Sequence, residues 1–547
     1  MRTRLLSCLF VGAGLLPAAA NLHADEGDAL RERRIRAHAT FLADDLLEGR
    51  AAGTRGHALA MAYVSAQFAR LGFETAGIDG YLQPLALRES RLDRDAGRLV
   101  LRRDGTERTL ANVNETIVRP AAGATSAEVT APAVFAGFGI SAPEFGYDDF
   151  ASGIELRGKI AVILAGSPTQ LPATARAHYS RNKNAELVAR GAVGVISLET
   201  PAEEKRTPWA IQVNRGRFPT MRLINPDGSL LEAFPELRAS ASVSRAAAAA
   251  FFGAGTPTVE AVFAAAEKGE PQAFALGFDV TLAGKAEVSD TTSANVLGWL
   301  PGTNPALAGE PLVITCHLDH LGVGQPVKGD AIYNGALDNA VGTAMVLAVA
   351  EEIATGPRLA RPVLFAALTA EEKGLLGAYH LARNPPARVK RYAANLNIDM
   401  PVLLAPVRDV IGYGAAHSSL GPKFAAAAAR QGFTVSEDPK PEEVIFVRSD
   451  QYAFIRAGVP ALYLKSGTNG PAGGPDLAAL EADFRKNRYH QPSDDLSQPI
   501  DWPSAAALAR LAGEIVRSIA DDPAAPRWNP GDFFGTRFGQ DTDTRAR

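Results

Sequence analysis

Three features of this sequence predict an α/β fold: a mainly parallel or mixed sheet with helices on both faces, and a smaller α+β domain inserted into it. From 295 to 520, near-continuous apolar runs of strand length alternate with helical segments, the texture of a sheet buried on both faces. Before that region, a compact strand–helix–strand block interrupts the chain. Finally, carboxylates and histidines stand where apolar runs end, and active sites of such sheets lie at the carboxyl ends of strands.

In chain order, residues 1–24 read as a signal peptide. Arg2 and Arg4 precede the apolar stretch Leu5 to Ala20, with small residues for cleavage at Ala18-Ala19-Ala20 and again at Leu22-His23-Ala24. A secreted or periplasmic location after cleavage is expected. Residues 25–118 form the first part of the main domain. Ile35, His38, Phe41, Leu42 and Leu46 recur at helical spacing, as do Leu59, Tyr63, Ala66, Phe68 and Leu71. Gly49 to Gly56 breaks the two helices, and its Arg50 and Arg55 read as a solvated loop. Residues 98–118 alternate as strands.

Residues 119–278 are the expected insert. Ala133–Ile140, Lys159–Leu164 and Val193–Ile196 read as strands, Asn184–Arg190 as a short helix stopped by Gly191. The alanine-rich stretch 244–268 reads as helical packing, and Phe274–Val288 as an edge hairpin. In residues 279–520, strands are predicted at Asn295–Leu300, Leu312–Cys316, Val363–Leu368, Ala394–Asp399, Asp409–Tyr413 and Ala461–Leu464. Helices fall near 341–354, 373–384, 420–431, 450–457 and 503–520. Residues 521–547, polar and rich in Gly, Pro and Asp, read as an extended tail.

Bulk properties exclude several classes. Over 547 residues the net charge is −4 with both signs interspersed, so no basic stripe suggests nucleic acid. After the signal segment no apolar run is long enough to span a bilayer, so stable membrane insertion is not expected. There are two cysteines, Cys8 and Cys316. Loss of Cys8 with the signal leaves one thiol and no internal disulfide, which a chain with a core of this size tolerates. Nothing in the composition speaks to oligomeric state.

The chemistry gathers at five breaks. His317-Leu318-Asp319-His320 follows the strand ending at Cys316. Asp319 stands where its carboxylate can accept the second ring hydrogen of His317, the outer partner that metal-bound histidines nearly always have. His320 is kept outside the direct ligand set. Asp338 sits in the glycine-flanked turn Gly335–Gly342; an aspartate there is most often a helix N-cap, but a carboxylate can also bridge two metals. Glu371-Glu372 follows a strand and precedes a helix. Acidic residues are favoured at that end in any case, yet successive side chains outside a helix point apart, so one glutamate can bind metal while the other faces water. Asp399 ends a strand, and His490 lies in the loop Tyr489–Asp495. Together these supply ligands for two divalent metals and one spare carboxylate as a base. Cys316 cannot pair with its strand neighbour His317, and no Gly-x-Ser-x-Gly elbow, P-loop, His-Glu-x-x-His or dinucleotide fingerprint is present.

At these residues the sequence resembles the di-zinc exopeptidases that include bacterial leucyl aminopeptidase, aminopeptidase Y and glutamate carboxypeptidase. HLDHLG, GALDNAVG, TAEEKGLLGA, NLNIDM, YHQPSDD, the stretch Arg448 to Gly467 and the early FLADDLLEGRAAGTRG carry the resemblance, over about 29–75 and 290–520. It implies two Zn2+ per chain: His317 and Asp399 on one, Glu372 and His490 on the other, Asp338 bridging. It implies Glu371 as general base, drawing the proton from a water shared by the metals, and Asp319 as the residue that orients His317. Many relatives have His where this chain has Gln451, which is not among the expected ligands. The insert resembles a protease-associated domain through GKIAVILAG and NKNAELVARGAVGVI.

The implied activity is that of an exported aminopeptidase acting on peptides. Alternatives remain open: a carboxypeptidase or dipeptidase on the same site, with Arg448 or Arg50 and Arg55 holding a substrate carboxylate; a non-catalytic receptor-like scaffold; and a single-metal acyltransferase of the glutaminyl cyclase type.

Overall fold

The computed structural model describes residues 18–539 apart from 254 and 271, with side chains from residue 27 onward. The expected signal segment, with Cys8, lies outside the described residues as far as 17, as does the end of the tail from 540. Among the described residues, no helix is long and apolar enough to cross a membrane.

Hydrogen bonding links 16 strands into one mixed sheet, and two separate ribbons pair Gly322–Val327 with Asp330–Tyr333 and Ser141–Ala142 with Tyr147–Asp148. In its C-terminal half the order is Thr434–Val435, Asp409–Tyr413, Ala461–Ser466, Ala394–Ile398, Leu312–His317, Val363–Leu368 and the last part of Ala273–Leu300. The central pairings, from Ala461–Ser466 to Val363–Leu368, are parallel. Antiparallel strands flank them on each side.

Both faces of this half are covered, as the apolar strands require. Leu312, Ile314 and Cys316 face a core built with the helices Ala18–Leu42, Val341–Thr355 and Trp502–Ala520. Val313, and likewise Leu364, Ala366 and Leu368 on the next strand, face a second core under Leu376–Arg383 and Gln451–Arg456. Cys316 is fully buried, and burial pushes its thiol up to about 12, which suits a small packing residue.

The remaining half begins on the long strand Ala273–Leu300, which pairs with Val363–Leu368 near its end and with Ser126–Ala136 near its start. Ile160–Leu164, Gly194–Leu198 and Ala239–Val243 follow in parallel, and Thr116–Pro120 closes the row. The helices Ala173–Ala189 and Val259–Glu267 cover it.

Three expectations change. Phe274–Val288 is no edge hairpin: it lies inside one 28-residue strand, held between Leu82–Arg103 and Ser126–Ala136. Alternation has the same period in one long strand as in two hairpin arms. The core expected within 119–278 also extends beyond those bounds, because it includes Leu99, Leu101, Leu110, Val280 and Leu282. Lastly, the described part of the tail is packed rather than extended. Asp532 caps the short helix Phe533–Phe538, and Phe534 is fully buried against His417, Phe446 and Trp528. Aromatic residues at 528, 533, 534 and 538 outweigh the polar composition around them.

Candidate metal centre

The five candidate ligands converge above the carboxyl ends of the central strands. His317 closes Leu312–His317, and Asp399 follows Ala394–Ile398 directly. Glu372 lies in the turn between Val363–Leu368 and the helix Leu376–Arg383. His490 follows the helix Leu477–Asn487, which the sequence reading had not anticipated. Its φ of +59° is a left-handed conformation that a non-glycine residue seldom adopts, and such residues cluster at functional sites.

Asp338 lies between two sets of ligands. His317 Nε2 is 3.2 Å from Asp338 Oδ1 and 3.0 Å from Asp399 Oδ1. His490 Nε2 is 3.2 Å from Asp338 Oδ2 and 3.1 Å from Glu372 Oε2. One ring nitrogen cannot direct a single N–H at two carboxylates. Ligand atoms around a tetrahedral ion with bonds of about 2.0–2.1 Å stand about 3.3 Å apart, the spacing found here. His490 Nε2 and Glu372 Oε1 are buried without a hydrogen-bond partner, as expected of atoms that await a cation. The donor set therefore fits two metals sharing one carboxylate.

His320, left out of the ligand set above, stands closer than expected. Its Nδ1 is 2.7 Å from Glu372 Oε1 and 4.0 Å from Asp338 Oδ2, and neither ring nitrogen makes a hydrogen bond. His320, Asp338 and Glu372 form a second possible three-ligand group. The distances of His490 to both carboxylates match the tetrahedral spacing better, so His490 fits the ligand set better and His320 stands beside it. No periodicity distinguishes the two histidines; only the return of the chain at 490 does.

Supporting contacts hold each ligand. Nδ1 of His317 lies 3.1 Å from the backbone carbonyl of Asp319, which leaves Nε2 free to hold a metal. This corrects the expected role of Asp319. Its carboxylate does not meet the His317 ring; it accepts the backbone N–H of Glu371 at 3.0 Å and of Glu372 at 3.4 Å. Asp494 accepts the N–H groups of Leu337 at 3.0 Å and Asp338 at 3.1 Å, fixing the bridging turn. Gly335 opens that turn at φ +60°; a Cβ there would meet the Asp338 carbonyl at 2.2 Å. The hydroxyl of Tyr463 donates to Asp399 Oδ2 at 3.2 Å.

Electrostatics separates the two glutamates. Burial would raise both, but His490 and His320 hold Glu372 well below the usual carboxylate range. Glu371 is raised well above it, first by burial and then by Asp399, Asp450 and Glu372, against the pull of His317. Asp450, to which sequence reasoning assigned no role, is fully buried with neither oxygen hydrogen-bonded.

The arginines divide. Arg50 is not a loop residue facing solvent: it is 1% exposed and donates to the carbonyls of Leu42, Leu318, Asn334 and Gly335. It braces the backbone beneath the site and is not free to hold a substrate carboxylate. Arg55 is exposed, 3.9 Å from Glu48, and Arg448 is exposed. Gln451 accepts from Asn397 at 2.8 Å and donates to the Phe446 carbonyl at 2.7 Å, a purely structural bridge.

Comparison with known proteins places this geometry. The chain is similar to an aminopeptidase from Aneurinibacillus sp. strain AM-1, at 19% identity over 90% of this chain and 95% of that one, with a TM-score of 0.53. A zinc aminopeptidase from Bacillus subtilis is 19% identical over 90% and 96% of the two chains, with a TM-score of 0.45. The first of these likenesses establishes a shared mixed α/β fold. No curated protein matches the sequence. The profile of Peptidase family M28 matches residues 295–516, the stretch that carries all five candidate ligands. The similarity to that family thus spans the part of the chain that holds the candidate centre.

Proposed function

We propose that this protein is an exported di-zinc aminopeptidase that removes N-terminal residues from peptides. The observation that carries the reading is the division of Asp338 between two ligand sets, Oδ1 toward His317 and Oδ2 toward His490. Two zinc ions held there would polarise the scissile carbonyl and acidify a water molecule. Histidine and carboxylate donors without thiolate suit zinc, and Cys316 is buried in the core.

The residues then divide the work. Glu371, the buried carboxylate left outside the ligand set, takes the proton of the attacking water and returns it to the leaving amine. Asp319 holds the Glu371–Glu372 turn in register with the bridging carboxylate. Asp494 and Gly335 hold the bridge, and Tyr463 restrains the second oxygen of Asp399.

The direction of attack is supported by the chemistry around the site. Arg50 is consumed by backbone carbonyls, which leaves Arg448 and Arg55 as exposed cations for a substrate carboxylate. A carboxypeptidase or dipeptidase reading therefore depends on those two residues. Metal analysis combined with free and N-blocked aminoacyl substrates tests both readings. We expect about two zinc ions per chain, as a two-metal site requires, and hydrolysis that requires a free α-amine. Preference for N-blocked substrates with a free carboxylate overturns the aminopeptidase assignment in favour of the carboxypeptidase.

A further inference from the structure

A cavity of about 510 Å3 lies where the insert meets the strand Leu82–Arg103, to which the insert adds its own strand Thr220–Leu223. Arg88, Ser90, Thr220 and Arg222 line it from one side of those strands. Alternation sends Leu85, Leu87 and Leu223 to the other side, into the peptidase core. None of its lining residues is a candidate ligand or the candidate base, so this is a second site.

The cavity carries surplus positive charge. Arg88, Arg119, Arg206, Arg215 and Arg222 line it against Glu199, Glu203 and Glu232. The carboxylates are already engaged. Glu203 accepts from Arg206 at 3.0 Å, and Glu232 is held from outside the cavity by Arg456 and by Arg181 at 3.8 Å. Glu199 is buried, which raises its pKa and weakens it as a counter-charge. Arg88 is paired with Asp290 at 2.7 Å, also outside the lining.

Arg119 and Arg222 are left over. Arg222 spends one N–H on the Met221 carbonyl at 3.0 Å, its Nε is buried without a partner, and the one carboxylate acting on it, Glu232, is shared with Arg456 and Arg181. Arg119 makes no ion pair or side-chain hydrogen bond among the described residues, and burial alone lowers its pKa. A half-buried guanidinium that must share its counter-charge or has none is unfavourable. An anion in the cavity removes that penalty, and the planar forks of arginine suit carboxylate and phosphate oxygens.

We propose that this cavity binds a small organic oxyanion carrying two or more carboxylate or phosphate groups, held by Arg119 and Arg222 between the insert and the peptidase domain. More than one anionic group is called for because the unpaired guanidiniums stand on separate strands, Thr116–Pro120 and Thr220–Leu223. The volume falls in the range of small-molecule sites, roughly 300–1,000 Å3. This assignment does not rest on the peptidase reading.

Calorimetry on the full-length protein tests it, with inorganic phosphate and tricarballylate as probes and sodium chloride at matched ionic strength as control. Metal content is checked afterwards, so that chelation at the zinc centre is not mistaken for binding. We expect one tricarballylate per chain, with phosphate binding more weakly at the same site. R119Q and R222Q each reduce tricarballylate affinity about tenfold or more, the scale of a lost charge-assisted hydrogen bond. R358Q, at an exposed arginine outside the cavity, leaves it unchanged. If R119Q fails to fold, R215Q probes the same lining from the helix Trp209–Arg215. Heats no larger than those of chloride, or equal affinity in wild type and every folded cavity variant, overturn the proposal.

Discussion

The Asp319 carboxylate accepts the backbone N–H of Glu371 at 3.0 Å. Two strand ends are thereby tied together, because Asp319 follows the histidine that closes Leu312–His317 and Glu371 follows Val363–Leu368. Displacement of a catalytic group by about 1 Å costs about a hundredfold in rate. We expect Asp319→Ala to lower kcat by about that factor while the metals stay bound, since His317 bonds to the Asp319 backbone and not to its side chain. Asp319→Asn, which keeps one acceptor oxygen, should recover part of the loss. Metal content and kcat measured on the same samples decide it; metal loss parallel to activity loss counts against a positioning role.

Glu371→Gln removes the proton acceptor and no ligand. Zinc content should stay near that of the wild type, while turnover falls by about 10²–10⁴, the range for a lost general base. Full activity in this variant would sink the mechanism.

Asp494 fixes the bridging turn through two backbone hydrogen bonds. Supporting partners of this kind are worth about 10–100-fold in metal affinity. Asp494→Ala should weaken zinc binding on that scale, measured by competition with a chromogenic chelator. An unchanged dissociation constant would show that the turn holds itself.

Protonation of His490 links zinc to pH. Burial disfavours its charge, but Glu372 and Asp338 raise its pKa to about 9 in the metal-free fold. An unfolded imidazole titrates near about 6.5. A raised basic group stabilises the fold fully below that unfolded value and ceases to do so as pH rises through the folded value. The metal-free protein should therefore lose thermal stability between about pH 6.5 and 9. Zinc requires the neutral ring, so its apparent affinity should rise over the same window. His490→Gln should flatten both trends.

The packed C-terminal segment yields a stability test. Phe534 is fully buried among His417, Phe446 and Trp528. Phe534→Ala should destabilise by about 3–5 kcal/mol, the usual range for a buried phenylalanine, seen as a lower unfolding midpoint in urea. A change within the range of surface substitutions, about 0.5 kcal/mol, would mean that the segment only rests on the protein.

What the sequence made legible follows the strength of local signals. The central strands and their helices were readable because two-sided burial leaves unbroken apolar runs, and His317, Asp338, Glu372, Asp399 and His490 could be picked out because each interrupts or follows such a run. The structure brings these five together. Features set by long-range packing were not readable. Arg50 looks solvated from its neighbours, yet its donors meet carbonyls from residues as distant as Gly335. Asp319 reads as the partner of a ring two residues away, but its carboxylate is used across the sheet on Glu371. The helix Leu477–Asn487 buries little besides Leu477 and Phe484, so its apolar stripe is too thin to register as a period.

The strand Ala273–Leu300 constrains how such a protein can be taken apart or recombined. Domain exchange usually succeeds at exposed loop tips, where few hydrogen bonds are cut. Here the second crossover would fall inside a continuous ladder that spans both halves. A foreign insert spliced at 278 would have to supply the first residues of a strand already paired with Leu82–Arg103. The two halves are thus coupled through their backbone: a graft has to carry this strand, and its partner Leu82–Arg103, along with it.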